Sequence, residues 1–298
     1  MAEAIDFAPK AIGGSMMRFD FYRASLLDGT DAEQVINHLA LQNPTGDLVE
    51  GRARMGYEAC TTLRDEHGDR WCDVLRGPAG VLVEVSGDTS PAVVGHVRSA
   101  WPRHAVSRAD VCEDLITEER GLFERLHPEL KRVVRRHGRV QAVTISADKS
   151  EEGASYRIGS RTSETFVRVY QKPEQLVATR QGHPSLKAYF GRWVRAEVEV
   201  KPQKDNRYTA SVFEPEQFCG LSRIARDVTK AILDIDVGKT SVIDYKELTT
   251  RERSRRACVK QFGKTLAAWK EDLGSWAELG ISLRDMIEEL EREKARWR

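Results

Sequence analysis

Three side chains set two residues apart invite a chemical reading. In Phe166-Val-Arg-Val-Tyr-Gln-Lys172, a strand would put Arg168, Tyr170 and Lys172 on one face and Val167 and Val169 on the other. A phenol is a weak nucleophile at neutral pH because its pKa lies near 10. Flanking cations and a bound phosphate favour the phenolate, so a tyrosine placed here could attack a phosphodiester. The plain alternative is a half-buried strand tyrosine.

Carboxylates recur with the same period. Arg195-Ala-Glu-Val-Glu-Val-Lys201 places Arg195, Glu197, Glu199 and Lys201 on one face. Ser107-Arg-Ala-Asp-Val-Cys-Glu-Asp114 places Arg108, Asp110, Cys112 and Asp114 together. Acids aligned on a strand repel one another unless a cation intervenes. Mg²⁺ or Mn²⁺ takes one or two such ligands and fills its shell with water and phosphate oxygens. Asp110, Asp114, Glu197 and Glu199 are therefore candidate metal ligands. Salt-bridged, solvated strands are the other reading. Gly159-Ser160-Arg161 can present backbone N–H groups to a phosphate, or be a simple turn. The basic runs at 131–136 and 251–256 could follow a nucleic-acid backbone or line solvated helices.

Other chemistries lack their residues. There is no His-x-His pair, His-Glu-x-x-His, Walker A loop, Gly-x-Gly-x-x-Gly or Gly-x-Ser-x-Gly. Five scattered cysteines form no Cys-x-x-Cys pair and read as reduced thiols. No stretch is long and apolar enough for a membrane span, and the start lacks a signal-peptide pattern, so a cytoplasmic protein is expected. A formal charge of +1 leaves nucleic-acid binding to local patches.

The elements that must position these residues follow from periodicity. Residues 17–23 read as a strand and 32–41 as a helix capped by Asp31; 43–54 reads as a loop. A meander follows over 56–63, 71–75 and 81–85, then a short helix over 92–101 and a strand over 105–114. Residues 117–136 read as a helix split by Pro128, and 140–145 as a strand. Helices dominate from 214 onward. The expected fold is α+β: an antiparallel sheet with packed helices and a helical C-terminal region. The divisions are a leader at 1–14, a β-rich domain at 15–213 and helices at 214–298. The β-rich part also hints at a duplicated unit, each half ending in a strand of alternating acids.

Several segments, in order, resemble the Rep_trans family of rolling-circle replication initiators and related relaxases. They are Gly56-Tyr-Glu58 with Val83-Glu-Val-Ser-Gly87, Ser107–Asp114, Tyr156–Lys172 and Arg195–Lys201. The Gly-Ser-Arg to Tyr-x-Lys block is the most specific. The resemblance implies a metal-dependent endonuclease that nicks and religates single-stranded or hairpin origin DNA. Tyr170 would be the nucleophile, holding a 5′-phosphotyrosine and releasing a 3′-OH. It implies DNA contacts from Ser160, Arg161, Arg168, Lys172, Arg195 and Lys201, a Mg²⁺ or Mn²⁺ cofactor, a homodimer and a host helicase as partner. Many members carry an acid where this chain has Gln171. That departure keeps open a non-catalytic DNA-binding regulator. A structural protein acting through its C-terminal helices is a third reading.

Overall fold

The structure is a computed structural model describing residues 17–27, 29–138, 140–179, 184–203, 206–240, 262–263 and 265–296. The expected leader, Cys258 and the basic run at 251–256 lie outside these residues. Two compact units divide the chain, Met1–Val242 and Ile243–Arg298.

In the first unit, alternating sequences form ten strands: β1 (Arg18–Leu26), β2 (Leu48–Gly51), β3 (Ala59–Arg64), β4 (Arg70–Gly77), β5 (Gly80–Ser86), β6 (His104–Ile116), β7 (Ala142–Ile145), β8 (Ser155–Ile158), β9 (Thr165–Gln171) and β10 (Trp193–Val200). They make one sheet, ordered β2-β3-β4-β5-β1-β6-β10-β9-β8-β7, with every neighbouring pair antiparallel. The helices are α1 (Ala32–Leu41), α2 (Ser90–Ala100), α3 (Leu122–Arg136), α4 (Lys172–Ala178), α5 (Asn206–Thr209), α6 (Pro215–Gly220) and α7 (Arg223–Leu233).

The sheet is built from a repeated plan. Outward from the central β1–β6 pair, each half begins with a strand, passes through a helix, lays down three strands and returns a fourth beside the first. Thus β1-α1-β2-β3-β4-β5 matches β6-α3-β7-β8-β9-β10. The expected duplication is present in this connectivity, but both acid-bearing strands, β6 and β10, belong to the second half. The halves differ at one connection. Gly77 and Gly80 pair across a tight turn between β4 and β5, while more than twenty residues, including α4, separate β9 from β10. This insertion begins two residues after Tyr170.

Alternation sends one face of the sheet into a continuous core. Tyr22, Val83, Val111, Val169 and Val198 pack there with Leu39 of α1, Val94 of α2, Val133 of α3, Phe218 of α6 and Val228 of α7. The opposite face carries the charged residues. Asp31 caps α1 by accepting from the Glu33 N–H at 3.0 Å, as its position predicts.

Three expectations are corrected. Residues 48–51 form edge strand β2, paired with β3, inside the segment read as a loop. The third helix begins at Leu122, after Gly121 with φ +81°, and runs through Pro128 unbroken. Its buried Phe123, Leu130, Val133 and Val134 hold the helix on both sides of the proline. That packing offsets the one lost backbone bond. Glu214 and Gln217 form a capping box at α6.

In the second unit, helix Trp276–Arg296 leaves Ile281, Met286, Ile287 and Leu290 exposed.

Candidate active site

Cross-strand register assembles the second half's polar face. On β9 and β10, Arg168 lies opposite Glu197 and Tyr170 opposite Arg195. On β10 and β6, Arg195 lies opposite Asp114, Glu197 opposite Cys112 and Glu199 opposite Asp110. Directly paired residues share a face, so side chains far apart in the sequence converge.

At the centre, the Tyr170 hydroxyl donates to Glu197 Oε2 at 3.0 Å. Arg168 Nη2 donates to the same carboxylate at 2.9 and 3.2 Å. The Arg168 guanidinium carbon sits 4.1 Å from the Tyr170 ring centroid, and Lys172 Nζ sits 5.8 Å from it. Both cations thus meet the ring's π face. Tyr170 is only 3% exposed. Burial, reinforced by the Glu197 charge, pushes its pKa well above the usual phenol value, against the pull of Arg168 and Arg195. The phenol therefore rests protonated with a carboxylate on its proton. The flanking cations do not by themselves yield a phenolate.

A second cluster joins β6 and β10. Arg108 clasps Asp110 through two bonds, Nε–Oδ1 at 2.8 Å and Nη2–Oδ2 at 2.5 Å. The same guanidinium reaches Glu199 at 3.0 Å, and Lys201 approaches Glu199 at 2.6 Å. Burial, with Glu197 and Glu199 nearby, raises the Asp110 pKa to about 7 against the opposing effect of Arg108.

Asp114 and Arg195 form a third group. Arg195 gives Asp114 two bonds, at 2.7 and 2.8 Å, and gives its remaining nitrogen to Asp20 at 2.7 Å. Arg18 and the Trp193 indole also donate to Asp114, at 2.5 and 2.8 Å. Burial opposes ionisation of Asp114, but Arg195 and Arg18 outweigh it and hold the carboxyl far below its usual range. All three Arg195 nitrogens are engaged within the protein, and its side chain is 3% exposed. The expected DNA contact and the expected metal ligand are thus joined to each other.

The remaining expected DNA contacts lie around this centre. Gly159 adopts φ +87°, and a Cβ there would stand 3.2 Å from the Thr165 carbonyl, so glycine suits this turn. Ser160 Oγ accepts from the Thr162 N–H at 3.2 Å, within the same turn. Arg161 lies over the Phe166 ring, and its carbonyl accepts from Lys201. Lys172 donates to Gln175 at 3.1 Å. Gln171, where an acid was expected, accepts the Ala154 N–H at 2.6 Å and fastens the loop before β8.

The oxygen donors fit a hard cation only in part. Asp114 is saturated by arginines. Asp110, Glu197 and Glu199 converge by register, yet no three His, Cys, Asp or Glu among the described residues make an ion-binding cluster. A divalent ion would therefore take one or two of these carboxylates. Sequence reading missed Arg18, Asp20 and Arg157. The signal for the first two was the polar alternation of β1, but its register with β6 includes a bulge between Phe19 and Phe21.

Fold and site together define an α+β protein with an internally repeated antiparallel sheet. Its second half bears a buried tyrosine–carboxylate–arginine centre. A family model described as replication initiation factor, Rep_trans, matches residues 106–271, and the chain belongs to that family. A rolling circle replication initiator protein from Geobacillus stearothermophilus is similar in structure, with a TM-score of 0.49 and 15% identity. The similarity covers 76% of this chain and 99% of that one. No curated protein matches. Among the described residues, no helix is long and apolar enough to cross a membrane.

Proposed function

We propose that this protein initiates rolling-circle replication by nicking and rejoining single-stranded or hairpin origin DNA through Tyr170. The observation that carries the reading is the Tyr170–Glu197 hydrogen bond on the polar face of β9 and β10. As the Tyr170 oxygen bonds to phosphorus, the phenolic proton passes to Glu197. The bond from phosphorus to the 3′ oxygen breaks, and that oxygen leaves as a 3′-OH after taking a proton from water. The 5′ phosphate stays on Tyr170, and the reverse reaction rejoins the strand. Arg168 holds Glu197 and stabilises charge gathering on the phosphate. Asp110, Glu197 and Glu199 supply the candidate metal ligands. A bound Mg²⁺ or Mn²⁺ would neutralise the scissile phosphate. Arg195 and Asp114 position the site and touch neither DNA nor metal. Arg161, Lys172, Lys201 and Ser160 rim the phosphate path.

Burial of Tyr170 favours a second reading, a DNA-binding regulator without chemistry. Covalent trapping separates the two. Labelled single-stranded DNA from the cognate element is incubated with Mg²⁺ or Mn²⁺ and resolved under denaturing conditions. An adduct that requires the ion and vanishes in Tyr170→Phe supports nicking. Binding without an adduct under either ion supports the regulator. The exposed apolar residues of helix Trp276–Arg296 support a homodimer, which sedimentation would detect. A host helicase and a cytoplasmic setting complete the proposal.

A further inference from the structure

Arg157 on β8 lies opposite Arg168 on β9, on the face that bears Tyr170. Arg18, Arg23, Arg108, Arg168 and Arg195 on this face each bond a carboxylate. Arg157 forms no such bond among the described residues, and its Nε is buried without a hydrogen-bond partner. The Nε of Arg168 is likewise buried and unsatisfied. Two facing guanidiniums therefore each hold an N–H donor withheld from water and lacking an acceptor, a costly arrangement in a folded protein. Burial, reinforced by repulsion from Arg161 and Arg168, lowers the Arg157 pKa. Glu152 is the acid that opposes them. The local need is for an anion with several acceptor oxygens, which describes a phosphodiester.

We propose that Arg157, facing Arg168 across the β8–β9 pair, forms a subsite for a backbone phosphate of single-stranded DNA beside Tyr170. The inference rests on the DNA-nicking reading for its substrate, but binding can be measured without chemistry. Arg157 lies two positions from Ser155, the residue opposite Tyr170, so the bound phosphate would neighbour the reacting one. This pairing orients the strand across β8 and β9.

The test measures binding of a fluorescent single-stranded origin oligonucleotide by anisotropy across a salt series. Wild type, Arg157→Ala and Arg157→Lys are compared, and each is also assayed for the covalent adduct. Arg157→Ala is expected to bind roughly tenfold more weakly. Its plot of log affinity against log salt should be shallower by about 0.7, one phosphate contact on a single strand. Arg157→Lys should keep most of the slope. Without DNA, Arg157→Ala should melt no lower than wild type, because removing it relieves repulsion. An unchanged slope, or a slope loss accompanied by a lower melting temperature, would overturn the subsite. If wild type forms no adduct while Arg157→Ala still loses the slope, the subsite stands and nicking fails.

Discussion

The Tyr170 hydroxyl points its proton at Glu197, two residues beyond the arginine that β10 places directly opposite it. The diagonal contact matters because Arg168 fills the position facing Glu197 and holds the carboxylate from the other side. Tyrosine, carboxylate and cation are thereby fixed on two strands rather than on a loop.

Replacing Tyr170 with phenylalanine removes one hydrogen bond and leaves Glu197 paired with Arg168. Covalent adduct should disappear on denaturing gels. Stability should fall by about 1.5–3 kcal/mol, the worth of a hydrogen bond to a charged group. DNA affinity should stay within a fewfold of wild type. Persistent adduct in this variant would transfer the nucleophile's role elsewhere.

Arg195 and Asp114 should behave as one unit. Arg195→Met strands the Asp20 carboxylate and leaves Asp114 held only by Arg18 and Trp193, and breaking such a buried pair costs about 3–5 kcal/mol. Asp114→Asn should cost a similar amount. Because the two touch, the double variant should lose clearly less than the sum in urea unfolding. Strict additivity would show that the pair is not coupled.

Much of the sheet was legible because alternation survives in β1, β3–β6 and β8–β10. β2 was not, since Leu48-Val-Glu-Gly51 is too short and too exposed to show a period. The break expected at Pro128 failed because tertiary packing on both sides of the proline outweighs one missing bond. Within the site, faces were readable but partners were not. Arg195 shares its face with Glu197 and Glu199 in any strand, yet only register reveals that Asp114 and Asp20 consume it. Arg157 gave no sequence signal, because an unpaired arginine is recognised only by the absence of an acid across the sheet.

Asp114 also predicts an acid-sensitive component of stability. Its folded pKa is depressed, so the unfolded state binds more protons as pH falls. The stabilisation is complete above the unfolded carboxyl pKa of about 3.9 and shrinks below it. Urea midpoints from pH 7 to pH 2.5 should show wild type converging on Asp114→Asn only below about pH 4. A constant difference through that range would remove Asp114 as the linked group.

The internal repeat supplies the sharpest control. In the first half, Glu84 of β5 bonds Arg23 at 2.5 Å, Arg54 at 2.7 Å and Arg70 at 3.1 Å. β5 occupies the place in its half that β10 occupies in the second, so Glu84 and Glu197 sit on matching strands within arginine clusters. The first half offers no tyrosine in that cluster, and its β4–β5 turn lacks the insertion that follows Tyr170. Glu84→Gln should therefore lower stability while leaving adduct yield per folded molecule unchanged. Glu197→Gln should cut the rate of adduct formation by about 10²–10⁴, the usual contribution of a positioned base. It should also lower the pH at which Tyr170 ionises, read from tyrosinate absorbance, because the carboxylate charge helps hold that pKa up. Equal loss of adduct rate from both substitutions, in proteins matched for folded fraction, would mean that chemistry is not confined to the second half.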